Sequence, residues 1–234
     1  RGSSVRGSDP ITKTFQSFYL LRDGELKFSE EWPHLEALSG YVLTNDNNID
    51  IEVPIGSSLD IGLDGVQGEI RRNELGENRL TISGSLTGPT LSGLEYLQQA
   101  PVGDSLKTTF ARWQVAGDFL ARIGVMVPLN LGENDTTVRL GIELDENTIN
   151  IPDYGLEVNQ LSGPVVFDTT NGLEPSQLTG QLFGQPAELG ISSQSINGQI
   201  EKMLVNVKGS ASPESLVKWP LQNGFVRDLL AQAQ

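Results

Sequence analysis

Apolar and polar residues alternate along most of this chain, and the longest example is DFLARIGVMVPLNL at residues 118–131. Every second residue there is apolar, which is the two-residue period of a β-strand with one buried face. Pro128 lacks the amide hydrogen that a central strand donates, so it marks an edge, a bulge or a strand end. We therefore expect a continuous strand over residues 115–127.

The same alternation predicts further half-buried antiparallel strands at residues 48–55, 58–63, 137–144, 148–151, 156–161 and 202–207. Asn, Asp, Gly and Glu cluster between these runs, at residues 45–48, 64–65, 75–78, 132–135 and 145–147. These residue types favour turns. Their spacing of roughly 10 to 15 residues is typical of a β-meander.

Three segments carry helix signals instead. Residues 89–100 place leucines at a helical spacing behind Pro89. Residues 212–219 begin with Ser212 as an N-cap, followed by a proline at the first helical position. The tail, residues 223–234, is the third candidate. We expect two or three short helices in a mainly β chain.

An internal repeat is visible in the spacing of glycine, proline and leucine. Residues 24–42 align with residues 163–182, with one residue of slack. The order of strand, Gly-Ser, helix and proline in residues 83–101 returns in residues 208–220. Units that cannot close a core alone stack into elongated architectures.

We therefore interpret residues 11–234 as a single elongated segment that holds about one and a half repeat units, residues 24–101 and 163–220. The first ten residues, RGSSVRGSDP, carry no pattern and are interpreted as an expression remnant or a disordered end. The chain has no initiator methionine, so we expect it to be part of a longer protein.

The chain is acidic: 16 Lys and Arg stand against 30 Asp and Glu, for a formal charge of −14. Nucleic acid binding needs a cationic surface, so the charge argues against that partner, and equally against electrostatic adhesion to anionic membranes. Cysteine is absent, which excludes disulfides and thiolate metal sites. No apolar run approaches the ~18 residues of a membrane helix.

No residue pattern indicates catalysis. The single histidine, His34, is interpreted as a surface turn residue because it lacks the partners of a catalytic triad. Glu30-Glu31 and Asp145-Glu146 are adjacent in sequence, and adjacent strand residues point to opposite faces, so these carboxylates do not converge. Nucleotide-binding and zinc-binding spacings are missing. We expect no enzyme activity, no cofactor and no metal.

The alternating rows leave two arrangements open. A second sheet could cover them, as in a β-sandwich, which is the common case. Alternatively, a curved sheet could leave its apolar face exposed as a trough for acyl chains. Aromatic residues are only 6% of the chain, and the helical segments are too few and too short to cover every alternating strand.

Two phrases in the sequence resemble AsmA-like proteins of the YhdP branch. One is a tryptophan and a glycine followed by an alternating strand and Pro-Leu, here Trp113, Gly117, Pro128 and Leu129. The other is a strand, a Gly-Leu excursion, Leu-x-Gly, a strand and Gly-x-Pro, here Phe167, Gly172, Leu173, Leu178, Gly180, Gly184 and Pro186. The resemblance extends over most of residues 24–220.

The resemblance implies a long curved antiparallel sheet, an open β-groove or half-barrel, in the periplasm. It implies transport of phospholipid between the inner and outer membranes, which supports the outer-membrane barrier. The full-length protein would be anchored in the inner membrane, and that missing anchor would be its membrane contact. The resemblance brings no catalytic residues, and envelope proteins are candidate partners.

We accordingly predict that this chain is a lipid-conduit segment whose groove holds phospholipid acyl chains. The residues expected to line the groove are Phe119, Ile123, Val125, Val127, Leu129, Val138, Leu140 and Ile142. The alternative is a structural or scaffolding β-module that binds a protein partner by adding a strand at an open edge.

Overall fold

The computed structural model describes residues 15–27, 30, 32–74, 76–100, 107–108, 110–129, 136–196 and 199–222. Strand accounts for 70% of the structure, in one large antiparallel sheet of 13 strands that does not close. The strands are β1 (Gln16–Leu26), β2 (Leu35–Asn45), β3 (Asn48–Ser58), β4 (Ile61–Arg72), β5 (Asn78–Pro89), β6 (Gln114–Ala116), β7 (Asp118–Pro128), β8 (Thr137–Ile151), β9 (Leu156–Asp168), β10 (Gly172–Leu173), β11 (Ser176–Leu182), β12 (Gln185–Ile196) and β13 (Gln199–Gly209).

Sequence neighbours are also neighbours in the sheet, whose order is β1-β2-β3-β4-β5-β7-β8-β9-β11-β12-β13. The short strands β6 and β10 pair with β8 and β9 beside this path. This meander confirms the mainly β, antiparallel architecture expected from the alternation, and the open sheet that the resemblance implied. The division into one and a half repeat units stays a prediction, and residues 1–10 lie outside the described part of the chain.

The long strand expected at residues 115–127 is present but interrupted. Gly117, with φ of 103°, separates β6 from β7. As expected of a residue without an amide hydrogen, Pro128 is the last residue of β7.

Three expected boundaries were wrong. Residues 64–65 are not a turn, because β4 runs through them with a bulge at Gly65. Residues 145–147 are not a turn, because β8 runs through them to Ile151 and absorbs them as a bulge at Glu146. Residues 58–63 are not one strand, because Leu59 has a φ of 52° and the strand begins at Ile61.

Bulges that carry a residue of positive φ occur on five strands of the sheet and contribute to its curvature. Each coincides with a shift in pairing register and a residue of positive φ: Asp23, Ala37, Gly65, Glu146 and Gln160. An extra residue on one strand of a pair bends that strand and increases the local twist. Bulges repeated across neighbouring strands curve a sheet that would otherwise be flat.

Two ten-residue helices follow strands that finish at the same end of the sheet. Helix α1 (Thr90–Gln99) follows β5, and helix α2 (Pro213–Gln222) follows β13. Both helices were expected, and the amide of Ser215 donates to Oγ of Ser212 at 3.1 Å, as the N-cap signal predicts. We call this end of the strands the helix end. The opposite end, where the β4–β5 connection lies, is the hairpin end. The expected helix at residues 223–234 lies outside the described residues.

Asn147 joins the β8 bulge to the start of α1. Its side chain is fully buried, and Nδ2 donates to Oγ1 of Thr90 at 2.9 Å and to the carbonyl of Asp118 at 3.0 Å. The amide of Thr90 also donates to the carbonyl of Gly117 at 2.8 Å. These bonds fix the position of α1 relative to β7 and β8, because buried polar groups lose free energy when left unpaired.

We expect Gly117→Ala to destabilise the fold more than a loss of backbone freedom alone would. A Cβ at Gly117 would lie 2.5 Å from Oδ1 of Asn147, whereas a Cβ at Gly184, which also has positive φ, would meet nothing within 4 Å. Urea unfolding should show a loss of about 1–2 kcal/mol for Gly184→Ala, from backbone strain, and a clearly larger loss for Gly117→Ala. Equal losses would contradict the role given to Asn147.

Candidate functional site

Cross-strand pairing aligns the apolar residues of one face into continuous rows. One row crosses seven strands: Tyr19, Val42, Ile51, Gly68, Ile82, Val125 and Val138. Neighbouring rows follow the same register: Gly84, Ile123, Leu140 and Phe167; then Leu63, Leu86, Ala121, Ile142 and Val165. We call this surface the apolar face.

The centre of the apolar face is only half-buried. Among the described residues, nine apolar side chains are buried, and three of them are alanines. A β-sandwich of this size would bury far more, because its two sheets cover each other. The described strands form a single sheet, so no second sheet of theirs covers this face.

The eight groove residues predicted from sequence fall in three places. The alternation and register place six together at the centre of the apolar face, all half-buried: Ile123, Val125, Val127, Val138, Leu140 and Ile142. Phe119 lies on the same face at the helix end, beneath α1. Leu129 follows the end of β7, is 43% exposed, and donates its amide to the carbonyl of Asn78.

Sequence reasoning missed the contribution of the strands that flank β7 and β8. Leu80, Ile82 and Leu86 of β5 pair with residues of β7, and Val165 and Phe167 of β9 pair with residues of β8. The signal in β5 was present in RLTISGSL, where apolar residues alternate but a glycine occupies one inward position. If glycine had been accepted as a member of an apolar row, the predicted groove would have included β5.

The opposite face carries the ion pairs, and we call it the polar face. Arg71 bonds to Asp50 across the β3–β4 pair, and its guanidinium lies 3.3 Å from Glu69. Farther along the sheet, Arg139 pairs with Glu174 at 2.6 Å. One face of the sheet is therefore apolar and the other is charged, and water readily solvates the charged face.

A cleft of about 440 Å³ opens on the polar face between the β8–β9 connection and the β11–β12 turn. It is lined by Asn150, Gly155, Glu157, Asn159, Phe183 and Gly184. Glu157 supplies its one carboxylate, which accepts a hydrogen bond from Asn159 at 3.0 Å. The cleft therefore does not present the pair of carboxylates that glycoside hydrolysis uses.

Helix α1 covers the apolar face at the helix end. Its Gly93 sits over the ring of Phe119, where an added Cβ would lie 3.2 Å from Cε1. Tyr96 packs near Trp32 with ring centroids 6.0 Å apart, and burial raises the pKa of Tyr96. The described residues leave the other end of the face without a helix.

The fold and its two faces define this protein as an open β-groove protein. The model of the YhdP protein family matches residues 5–228, so the chain belongs to the YhdP family. A curated relative, the "Intermembrane phospholipid transporter YhdP" of Escherichia coli (strain K12), is 28% identical over 208 residues. That alignment covers 85% of this chain but 15% of the relative, so the chain spans a small part of the relative's length.

The resemblance noted in the sequence is thereby confirmed. No solved structure matches the chain. In the described part of the chain, no helix is long and apolar enough to cross a membrane.

Burial of Tyr96 leads to a prediction at alkaline pH. Its folded-state pKa lies above the value of about 10 for an exposed tyrosine. The stability that depends on neutral Tyr96 is therefore complete below pH ~10 and is lost as pH rises through the folded-state pKa. Thermal unfolding between pH 9 and 11 should show a steeper decline for the wild type than for Tyr96→Phe.

Tyr154→Phe is the matched control, because Tyr154 is 54% exposed. This variant should follow the wild-type pH dependence. A Tyr96→Phe profile parallel to the wild type would mean that α1 does not exclude water from Tyr96.

Proposed function

We propose that this segment holds phospholipid acyl chains on the apolar face and forms part of a periplasmic conduit between the inner and outer membranes. The observation that carries the proposal is the continuous, half-buried apolar surface across seven strands. The name of the E. coli relative, an intermembrane phospholipid transporter, supports the choice of ligand.

The dimensions of the sheet suit an acyl chain. Eleven strands in the main path, spaced by about 4.8 Å, give a face about 50 Å long. One leaflet of a bilayer's hydrocarbon core is about 15 Å thick, so an extended acyl chain fits along an eleven-residue strand such as β7, which is about 36 Å long. Several lipids could therefore lie side by side along the face.

Transport along this surface would be passive. Each buried CH₂ group contributes about 0.8 kcal/mol, and neighbouring rows of Val, Ile and Leu offer similar contacts. A chain that moves by one strand exchanges one set of contacts for an equivalent set, so no deep trap holds it in place. Head groups would stay in water, and the conduit would need neither a catalytic residue nor a cofactor.

The proposal assigns the segment to the periplasm, within a longer protein anchored in the inner membrane. Partner proteins at either membrane would belong to the cell envelope. Nucleic acid is not a partner in this proposal, because the formal charge of −14 opposes phosphate backbones.

The decisive experiment is native mass spectrometry of the purified protein, followed by extraction and identification of the bound lipid. We expect phospholipid at a defined stoichiometry, either copurified or taken up from detergent micelles. A protein that carries no lipid and takes none up would contradict the proposal for this segment.

Aspartate substitutions on the two faces provide a matched comparison. Val125→Asp and Ile142→Asp should abolish lipid retention, because a carboxylate in the acyl-chain surface must be desolvated when lipid binds. The controls are the preceding residues, Gly124→Asp and Gly141→Asp, which point to the polar face and have open space around the new Cβ. They should retain lipid.

Circular dichroism and urea unfolding of all four variants separate binding from folding. Residue 125 is only half-buried, so water can reach a carboxylate there in the lipid-free protein. Val125→Asp should therefore remain folded. If both Val125→Asp and Ile142→Asp unfold while the glycine variants do not, the apolar face is part of a closed core.

A further inference from the structure

Most arginines on the strands that carry the apolar face lie on the polar face. On β4, β5, β7 and β8, alternation and cross-strand register put four arginines on the polar face: Arg71, Arg79, Arg122 and Arg139. Arg72 is the exception, since it lies two residues beyond Ile70 on the same side of β4. Ile70 pairs with Leu80, so Arg72 continues an apolar row to its hairpin end.

Arg72 stands at the border between apolar surface and water. Its side chain is exposed, and Nε donates to the carbonyl of Gly76 at 2.7 Å. No ion pair within the described residues engages its terminal nitrogens. The single bond at Nε holds the guanidinium at the edge of the β4–β5 hairpin and leaves its outer donors available.

Acidic residues lie at both ends of the face, with Glu74 and Glu77 in the same hairpin as Arg72, but no arginine of β4, β5, β7 or β8 lies on the apolar face at the helix end. Helix α1 covers the face over Phe119, and the exposed acids Asp60, Glu95 and Glu146 lie on the connections, helix and bulge at that end. None of the three forms a salt bridge in the described part of the chain. An anion would meet both a helix and like charge there.

We propose that a phospholipid on the apolar face lies with its phosphate at the hairpin end, bound by Arg72, and with its acyl chains directed towards the helix end. The inference rests on the proposed function and adds an orientation to it. A guanidinium presents paired donors that match a phosphate, and it remains charged at every physiological pH.

Uptake of two lipids that differ only in the phosphoglycerol head group, whose phosphate carries the one charge of the pair, tests the role of Arg72. Lipid-free protein is incubated with phosphatidylglycerol or with diacylglycerol of the same oleoyl chains, each in the same non-ionic detergent micelles, and bound lipid is counted by native mass spectrometry. The wild type should prefer phosphatidylglycerol by about fivefold, the size expected of a partly exposed charge pair.

Three arginine variants separate charge from hairpin structure. Arg72→Gln should bring the ratio close to one, whereas Arg72→Lys should keep most of it, because the charge remains although the bond from Nε is lost. Arg79→Gln, on the neighbouring strand and the polar face, should behave as the wild type. An unchanged ratio in Arg72→Gln, or equal loss in Arg72→Lys, would overturn the proposal.

Two further outcomes distinguish the sources of phosphate and the underlying function. Calorimetric titration with inorganic phosphate should give no saturable binding; tight binding that Arg72→Gln removes would identify a free-phosphate site and overturn the lipid assignment. A wild type that takes up neither lipid would remove the proposed function itself, whereas uptake of both lipids at equal levels would remove the inference alone.

The orientation can be measured directly because the chain contains no cysteine. Glu74→Cys at the hairpin end and Glu95→Cys on α1 accept a fluorophore at opposite ends of strands about 36 Å long. The labelled protein is then loaded with phosphatidylglycerol that carries a nitroxide on its head group. The nitroxide should quench the fluorophore at residue 74 more strongly than the fluorophore at residue 95. The reverse order would overturn the proposed orientation.

Discussion

The ladder of backbone hydrogen bonds between neighbouring strands is the interaction on which the rest of this structure depends. In a sandwich, burial between two sheets would hold the strands together, but here the described strands form one open layer. Ten of the eleven strands in the main path have eleven or more residues, a length that compensates for a small core by extending each ladder. The apolar face can therefore stay half-exposed without loss of the fold.

Curvature follows from where that ladder is broken. Residues such as Ala37 and Glu146 adopt a positive φ that non-glycine residues seldom occupy, and each one adds a residue to a strand. The Glu146 bulge also brings Asn147 inward to bind the start of α1, so one irregularity both bends the sheet and positions the helix that covers its end. The same local feature thus determines the shape of the groove and the closure of one side.

Much of the fold could be predicted from alternation, because the period of two identifies both the strand and its inward face. Ile123, Val125, Leu140 and Ile142 were assigned to one face on that basis, and the register places them together. The bulge at residues 145–147 could not be distinguished from a turn, since Asp, Glu and Asn favour both. Leucine spacing located α1 but not its packing, for Leu91 is 49% exposed and the helix contacts the sheet through Gly93.

The choice between a closed core and an open face was beyond the pattern itself, because either arrangement selects the same alternation. The absence of a second apolar sheet among the described strands decides between them, and it is seen only once all these strands are found to belong to one sheet.

An open apolar face would ordinarily promote aggregation between copies. The formal charge of −14 opposes that association by mutual repulsion. It does not oppose the burial of an uncharged acyl chain, because the hydrophobic contribution depends on apolar area and not on charge. Acidity and an exposed groove are therefore compatible properties of one protein: the first keeps copies apart, and the second remains available to lipid.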